Sequence, residues 1–203
     1  PDLDGERAPG LTPAELHAYS VARPGEFWRR VWEYCEVIGD PGDAGAPADR
    51  ATATPEPAFG PGSSLRSAGI LPGAQVSLAE NLLRASGPSA AVEFAREDGI
   101  RRTLSWDDLR AEVASAAAAL RTLGVGVGDR VAAWMPNTPE TLVAMLATNA
   151  LGAVFTSTSP DFGVAGVLDR FGQVEPTVLV AADGYVYGGR QHDCLARLAQ
   201  ITD

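Results

Sequence analysis

The sequence predicts an α/β fold built on a parallel sheet with helices on both faces, preceded by a helical and coiled N-terminal extension and a small hairpin. Three observations predict it. Between residues 105 and 182, helical and strand patterns alternate three times with hardly a residue between them. The strand patterns are short, continuous apolar runs, which are typical of strands covered on both faces. The connections between these runs are too long for hairpins, so two successive right-handed βαβ units are expected.

Residues 1–64 are interpreted as the N-terminal extension. Residues 1–24 are polar and rich in proline, which predicts mostly surface coil with one short helix over residues 13–19. An aromatic stripe at helical spacing over residues 26–38 predicts a helix that ends at Gly39. Its large apolar face packs on the protein's own main domain or binds a partner, and the first reading is favoured because such stripes usually belong to a core.

Residues 40–64 carry Pro, Gly, Ala and Asp without periodicity and are interpreted as a linker or a long surface loop. The main domain is expected to begin at residue 65. Its first signals are a short helix capped by Ser77 and a hairpin. The hairpin strands are predicted over residues 90–97 and 100–104, because the Asp98-Gly99 pair between them is a strong turn signal.

The first helix of the alternating region begins at Ser105, which with Asp108 three residues later forms a capping box. An apolar stripe continues to Leu123, and Gly124 ends the helix. The predicted elements that follow are a strand over residues 131–135, a helix over 139–151, a strand over 153–156, a helix to about 173, a strand over 177–181, a turn-rich loop over 183–190 and a helix over 194–201.

The composition excludes several classes of function. The chain has 203 residues and a net charge of −10, and no basic block offsets that charge, so a nucleic-acid partner is not expected. All sixteen basic residues are arginine. The absence of lysine excludes a Walker-type phosphate loop, a Schiff-base lysine and a catalytic ammonium within these residues.

No apolar run approaches the length of a membrane span, and the first residues do not resemble a signal peptide. The simplest expectation is a cytoplasmic protein without a membrane partner. Cys35 and Cys194 lie far apart in the sequence and lack a second pair, so neither a disulfide framework nor a zinc site is expected.

Candidate binding residues follow the second and third strands of the predicted sheet. In open parallel sheets, ligands bind at the carboxyl ends of the strands. The first group gathers hydroxyls and a carboxylate just before a helix, and the second places rings beside an arginine that can hold a phosphate. The groups are Ser157, Thr158, Ser159, Pro160 and Asp161, and Tyr185, Tyr187, Gly188, Gly189 and Arg190. These residues favour a nucleotide-like ligand, although a bland turn at the first group remains open.

Two other patterns carry less weight. His192 and Cys194 are two metal-ligating residues, but two ligands do not make a site. The glycines at positions 124, 126 and 128 have the spacing of a dinucleotide fingerprint but follow a helix and precede a strand, which is the wrong order.

Several stretches resemble the opening of the large domain of the AMP-forming acyl-CoA synthetases. They are Thr103 to Leu109 (TLSWDDL), Gly128 to Glu140 (GDRVAAWMPNTPE), Leu151 to Gly163 (LGAVFTSTSPDFG), Ala79 to Leu83 (AENLL) and Asp183 to Gly189 (DGYVYGG). Within this superfamily the likeness is greatest to the acetoacetate-activating members. It extends over the chain from about residue 15, except for residues 40–64.

The resemblance implies an acid–thiol ligase of lipid metabolism that uses ATP, Mg²⁺ and CoA. The family's phosphate loop ending in lysine, its adenine and ribose motifs, its Mg²⁺ carboxylate and its C-terminal domain have no counterpart here and would lie beyond Asp203. The chain therefore resembles an N-terminal fragment without catalytic or metal-binding residues, and it is expected to be inactive alone. A parallel sheet that ends after its third strand leaves an exposed edge, so the isolated chain is also expected to self-associate or to be marginally stable. Its partners would be the rest of the large domain and the C-terminal domain.

Carried over by position, the resemblance implies that Ser159, Pro160 and Asp161 line the nucleotide of CoA and that Arg190 holds its 3′-phosphate. Tyr187 stands where acetyl-CoA synthetases have another arginine. Two alternatives stay open. One is a ligase of acetate or propionate, and the other is a non-catalytic Rossmann-like binding module.

Overall fold

The computed structural model describes residues 10–42 and 70–202. Contacts divide the chain into two units, Pro1–Val76 and Ser77–Asp203. The predictions for residues 1–9 and 43–64 lie outside the described residues. No helix in the described ranges is long and apolar enough to cross a membrane.

The first unit contains two consecutive helices, α1 (Pro13–Ala22) and α2 (Pro24–Tyr34). Thr12 caps α1 and exchanges hydrogen bonds with Glu15 in a capping box, and Pro13 occupies the first turn, where its missing N–H costs nothing. The helix runs three residues beyond the predicted end at residue 19, and the Arg23 N–H donates to the Tyr19 carbonyl at its end. The prediction of mostly coil before residue 24 is wrong for this segment.

Helix α2 ends at Tyr34, so the predicted helix end at Ile38 is wrong. The Val37 N–H donates to the Trp32 carbonyl at 3.0 Å, and Glu36 between them has a left-handed φ of 50°. This arrangement is a Schellman-type ending in which Glu36 occupies the position that glycine usually fills. The chain then forms β1 (Gly39–Asp40), which pairs antiparallel with β2 (Gln75–Val76).

The second unit begins with the predicted short helix and hairpin. Helix α3 (Leu78–Leu82) is capped by Ser77. Strands β3 (Ala90–Ala95) and β4 (Arg101–Ser105) pair antiparallel, and Gly99 in the turn has a φ of +88°. The prediction of a hairpin around Asp98-Gly99 is confirmed.

A three-stranded parallel sheet forms the centre of the second unit. Its elements are α4 (Trp106–Thr122), β5 (Arg130–Trp134), α5 (Pro139–Ala150), β6 (Val154–Thr158), α6 (Val164–Gly172) and β7 (Val178–Ala181). The strand order is β6-β5-β7, with both neighbours parallel to β5. Strands that follow one another along the chain are joined through a helix, as the spacing of the apolar runs predicts.

Alternate residues of β5 face two different helical layers. Val131 packs with the buried faces of α4 and α5, which include Leu109 and Leu146. Ala132 and Trp134 pack with Val167 and Phe171 of α6 on the other side. Residues 131–134 are all 0% exposed. Helices therefore cover both faces of the sheet, which confirms the predicted fold class.

Two predicted boundaries near the carboxyl edge of the sheet are wrong. Ser157 and Thr158 were expected in a loop, but β6 extends through both because they pair with Ala133 and Trp134 of the central strand.

The prediction of a loop over residues 183–190 is also wrong. Most of these residues belong to an antiparallel hairpin of β8 (Gly184–Tyr187) and β9 (Arg190–Asp193). Gly188 and Gly189 have φ of +61° and +70°, which suits the two-residue turn that continues the twist of paired strands. Helix α7 (Leu195–Thr202) follows directly.

Candidate functional site

A cavity of about 350 Å³ lies at the carboxyl ends of the parallel strands. Residues 136–138 after β5, residues 159–161 after β6 and residues 184–187 of β8 contribute to its lining. The last two of these segments overlap the two groups of candidate binding residues that the sequence predicts. The fourth wall is residues 94–97, from the end of the β3–β4 hairpin.

The segment after β5 is fixed by its own sequence. Pro136 ends the strand, and Pro139 occupies the first turn of α5. The Thr141 hydroxyl donates to the Pro136 carbonyl at 2.6 Å, which holds the turn between strand and helix closed. Asn137 and Thr138 are thereby held at the cavity wall.

Asp161 is the most constrained carboxylate at the cavity. The Tyr185 hydroxyl donates to one of its oxygens at 2.6 Å, and the Ser159 hydroxyl donates to the other at 2.9 Å. The hydrogen bond from Tyr185, with that from Ser159, lowers the pKa of Asp161, since both favour the ionised carboxylate. The same bond raises the pKa of the Tyr185 hydroxyl.

Tyr185 also joins the cavity to the outer strand of the hairpin. Its ring stacks on His192 with centroids 4.8 Å apart and an interplanar angle of 14°. The His192 Nε2 lies 3.2 Å from the Tyr187 carbonyl, so the imidazole contacts both hairpin strands. Stacking on His192 therefore fixes the ring of Tyr185, and its hydroxyl donates to Asp161.

Arg197 of α7 holds the residue between Ser159 and Asp161. Its Nη1 donates to the Pro160 carbonyl at 2.9 Å, and its guanidinium carbon lies 5.1 Å from the centre of the Trp134 ring. Trp134 is fully buried, and its Nε1 has no hydrogen-bond partner among the described residues. The loop after β6 is thus tied to both the hairpin and the last helix.

The fourth wall carries charge of both signs. Arg96 makes two hydrogen bonds with Asp98, at 2.8 and 2.6 Å, which lower the pKa of Asp98. Glu97 accepts a hydrogen bond from the Gly189 N–H at 2.7 Å. This contact joins the turns of the two hairpins across 92 residues of sequence.

Five of the ten candidate binding residues line the cavity, and Ser157, Thr158, Gly188, Gly189 and Arg190 do not. Ser159, Pro160, Asp161 and Tyr187 all line the cavity. Arg190 does not line it. This arginine pairs with Tyr187 across the hairpin, is exposed, and forms no ion pair with the residues that the structure describes. Arg190 is therefore an exposed arginine whose strand partner, Tyr187, lines the cavity.

Sequence reasoning missed the wall formed by residues 94–97. The Asp98-Gly99 signal predicts the hairpin itself but does not show that its end reaches the carboxyl edge of a sheet whose first strand begins only at Arg130. The role of Tyr185 as a donor to Asp161 was also missed, since no local pattern links positions 24 residues apart.

Within residues 10–42 and 70–202, no group of three or more His, Cys, Asp or Glu side chains could hold a metal ion. His192 is engaged with the Tyr187 carbonyl and the Tyr185 ring. Cys194 is fully buried, and this burial raises the pKa of its thiol. The pair therefore does not present two free ligands to a common point.

Comparison with known proteins identifies the family. Residues 83–202, more than half of the chain, match the family model described as AMP-binding enzyme. The chain belongs to the AMP-binding enzyme family. The resemblance to AMP-forming acyl-CoA synthetases is thereby confirmed, and the cavity lies within the matched region.

Individual members of the AMP-binding enzyme family are similar over nearly the whole chain. An acetoacetyl-coenzyme A synthetase of Rhizobium meliloti (strain 1021) is 46% identical over 187 residues, which are 92% of this chain and 27% of that protein. A malonamoyl-CoA synthetase of Penicillium aethiopicum is 35% identical over 193 residues, or 92% of this chain and 25% of that protein.

The solved structure of the acetoacetyl-CoA synthetase from Streptomyces lividans matches with a TM-score of 0.78 and 38% identity, covering 96% of this chain and 28% of that one. The chain spans about a quarter of the length of these relatives.

Proposed function

We propose that this chain is the first part of the large domain of an AMP-forming acetoacetate–CoA ligase that acts in the cytoplasm. The observation that carries the proposal is the 46% identity to an acetoacetyl-coenzyme A synthetase over 92% of the chain. In the proposed reaction, a carboxylate oxygen of the acid attacks the α-phosphorus of ATP and pyrophosphate leaves. The CoA thiolate then attacks the acyl carbon of the adenylate, and AMP leaves with the bonding electron pair.

The names of two relatives narrow the substrate class. Acetoacetyl-CoA and malonamoyl-CoA both carry a carbonyl at the third carbon of a short acyl chain. A shared 3-oxo carboxylate is the simplest common substrate for proteins that are 46% and 35% identical to this chain. This argument favours acetoacetate over acetate and propionate.

We propose that the cavity at the carboxyl edge of the sheet binds the nucleotide portion of CoA. Ser159, Pro160 and Asp161 offer polar groups along one wall, and Tyr187 offers a ring against which a base can pack. Arg190, exposed and without an ion-pair partner among the described residues, supplies a guanidinium for a phosphate.

ATP chemistry is assigned to residues that this chain does not contain. Stabilising a transferring phosphoryl group requires placed cations and Mg²⁺. The chain has no lysine, and its described residues form no metal cluster. We therefore infer that the 203 residues alone do not form an adenylate.

A panel of acids tests the proposal. The full-length protein is incubated with ATP, Mg²⁺ and CoA together with acetoacetate, malonamate, acetate or propionate, and AMP release and thioester formation are measured. We expect the highest kcat/KM with acetoacetate, measurable turnover with malonamate and weak turnover with the other two. A preference for acetate or propionate would favour the sibling ligases. Absence of thioester with every acid would favour a non-catalytic binding module.

A further inference from the structure

Arg96 is the one basic residue among the described residues that line the cavity at the carboxyl edge of the sheet. Two carboxylates, Glu97 and Asp161, line the same cavity. Both carboxylates already accept hydrogen bonds from N–H or hydroxyl donors, and neither forms an ion pair with Arg96. The guanidinium of Arg96 is therefore the group of the cavity wall that suits an anion.

Asp98 holds this guanidinium by one side. The Nε and Nη2 of Arg96 donate to the two carboxylate oxygens of Asp98, whereas its Nη1 has no hydrogen-bond partner within residues 10–42 and 70–202. Asp98 itself does not line the cavity. The backbone N–H of Arg96 donates to the Ile100 carbonyl, and its carbonyl accepts from the Gly99 N–H. The hydrogen-bonding capacity that Arg96 retains for a ligand therefore belongs to the end of its guanidinium.

A guanidinium held in this way is prepared to bind a phosphate. Of its five N–H groups, two are used by Asp98, which leaves three on Nη1 and Nη2. The planar fork of these donors matches the oxygens of a phosphate. The Arg96 side chain is 34% exposed, so water competes only in part for the remaining donors. Because Asp98 has already fixed the side chain, a phosphate binds to it at a smaller cost in conformational entropy.

The hydrogen bond between Glu97 and Gly189 brings a second arginine to the same end of the cavity. Glu97 follows Arg96 in the chain and Gly189 precedes Arg190, so the two arginines flank this contact of 2.7 Å between the hairpin turns. Arg96 lines the cavity, and Arg190 is exposed outside its lining. A ligand that carries phosphate at two points can therefore contact one arginine within the cavity and the other beside it.

We propose that Arg96 binds a phosphate of CoA in this cavity. The inference rests on the proposed function, which supplies the ligand, and it assigns a binding residue to the wall formed by residues 94–97. CoA carries a diphosphate and a 3′-phosphate. The two share the chemistry that Arg96 recognises, a phosphate oxyanion that accepts from Nη1. Arg96 binds the substrate in this way and takes no part in the making or breaking of bonds.

Steady-state kinetics of the full-length protein tests the proposal. Arg96→Gln removes the charge and keeps a polar side chain. Arg101→Gln removes the same charge from an exposed position on the same hairpin, outside the cavity lining, and is the matched control. KM for CoA should rise about tenfold or more in Arg96→Gln and stay at the native value in Arg101→Gln. Pyrophosphate exchange into ATP should be unchanged in both, because the adenylate forms before the thiol reacts.

Shortened thiols identify which phosphate Arg96 binds. Dephospho-CoA lacks the 3′-phosphate, and pantetheine lacks the diphosphate as well. A contact to the 3′-phosphate predicts that Arg96→Gln leaves KM for dephospho-CoA unchanged. A contact to the diphosphate predicts that KM rises equally for CoA and dephospho-CoA and is unchanged for pantetheine. Arg96→Lys keeps the charge without the fork and should raise KM by less. If Arg96→Gln does not fold, the comparison of Arg96→Lys with Arg101→Lys decides.

Three results would overturn the proposal. The first is an Arg96→Gln enzyme with the same KM for CoA as Arg101→Gln. The second is a rise of KM for pantetheine as large as that for CoA. The third is a parallel loss of pyrophosphate exchange in Arg96→Gln, which would indicate damage to the fold.

A calorimetric measurement separates this inference from the proposed function. A native protein that forms no thioester with any acid would refute the proposed function, and the affinity for CoA would then decide the role of Arg96. CoA should bind the native protein about tenfold or more tightly than it binds Arg96→Gln. Equal affinities, or no detectable binding to the native protein, would overturn the inference.

Discussion

At the scale of single residues, the candidate site depends on contacts between side chains that are distant in sequence. Asp161 is held by Ser159, two residues away, and by Tyr185, 24 residues away. The first contact follows from the local turn. The second exists only because Asp161 follows β6 and Tyr185 lies in the hairpin that follows β7, and these two strands end at the same edge of the sheet. Sequence reasoning therefore selected Asp161 as a candidate and could not predict its partner.

The bond between Tyr185 and Asp161 gives a prediction for the pKa of this carboxyl. Replacing Tyr185 with Phe removes the donor at 2.6 Å and keeps the ring that stacks on His192. The pKa of Asp161, lowered in the native chain, should move up toward its ordinary value. Carbon-13 NMR titration of the carboxyl measures it. Tyr187→Phe is the matched control because it leaves this bond intact.

The sign of the accompanying stability change follows from linkage. A carboxyl whose pKa is lower in the folded than in the unfolded state stabilises the fold above the unfolded pKa and loses that contribution as pH falls through the folded pKa. Tyr185→Phe should therefore reduce stability at neutral pH and leave it unchanged at strongly acidic pH. An Asp161 titration that is identical in Tyr185→Phe and the native chain would contradict the assignment.

At the scale of elements, the sequence predicts helix starts better than helix ends. Ser105 and Asp108 form the capping box that their spacing predicts, with the Asp108 N–H donating to the Ser105 hydroxyl at 3.1 Å. The end of α2 was placed four residues too late, because Glu36 adopts a left-handed conformation that sequence patterns assign to glycine. The start of a helix depends on the chemistry of its capping side chains, whereas its end depends on where the backbone leaves the helical conformation.

The capping box of α4 gives a prediction for stability. Replacing Ser105 with Ala removes the acceptor for the Asp108 N–H and should lower the free energy of unfolding by about 1 kcal/mol. Urea denaturation of the 203-residue chain followed by circular dichroism measures it. Ser115→Ala, an exposed position in the same helix, is the control and should be neutral or slightly stabilising. Equal losses in the two variants would show that the cap is not formed.

The hairpin of β8 and β9 is the element that the sequence pattern did not predict. The run from Gly184 to Arg190 is rich in glycine and tyrosine and was interpreted as a loop. The two glycines form a turn that fits the twist of paired strands, and this turn receives a further contact from Glu97. The predicted loop placed Arg190 beside Tyr187 in an irregular segment. In the structure, Arg190 lies on β9, opposite Tyr187 on β8.

At the scale of the whole molecule, the order of elements in the second unit was predictable because each strand is buried and each crossover is helical. The strand order β6-β5-β7 places the predicted carboxyl ends around one cavity. The position of the β3–β4 hairpin against that cavity was not predictable. It depends on long-range contacts such as the Arg102 ion pairs with Glu112 and Glu140 at 2.5 Å.

The absence of lysine and of a metal cluster among the described residues gives a prediction for activity. The purified 203-residue chain should not exchange labelled pyrophosphate into ATP in the presence of acetoacetate and Mg²⁺, because these residues supply neither a lysine nor, in the described part, a carboxylate cluster that could hold the metal at the transferring phosphoryl group. The full-length protein under the same conditions is the positive control. Acetoacetate-dependent exchange by the shorter chain would refute the inference.

The proposal that this chain forms the CoA-binding side of a ligase is tested at Arg190. The measurement compares KM for CoA and for dephospho-CoA in the full-length protein and its Arg190→Ala variant, together with pyrophosphate exchange. Arg121→Ala, another exposed arginine remote in sequence from the cavity segments, is the matched control.

Loss of a charge-assisted contact to the 3′-phosphate should raise KM for CoA about tenfold or more in Arg190→Ala. KM for dephospho-CoA and the exchange rate should not change, and Arg121→Ala should behave as the native protein. Equal weakening of the binding of both thiols in Arg190→Ala, or no change with either, would contradict a role for Arg190 at the 3′-phosphate of CoA.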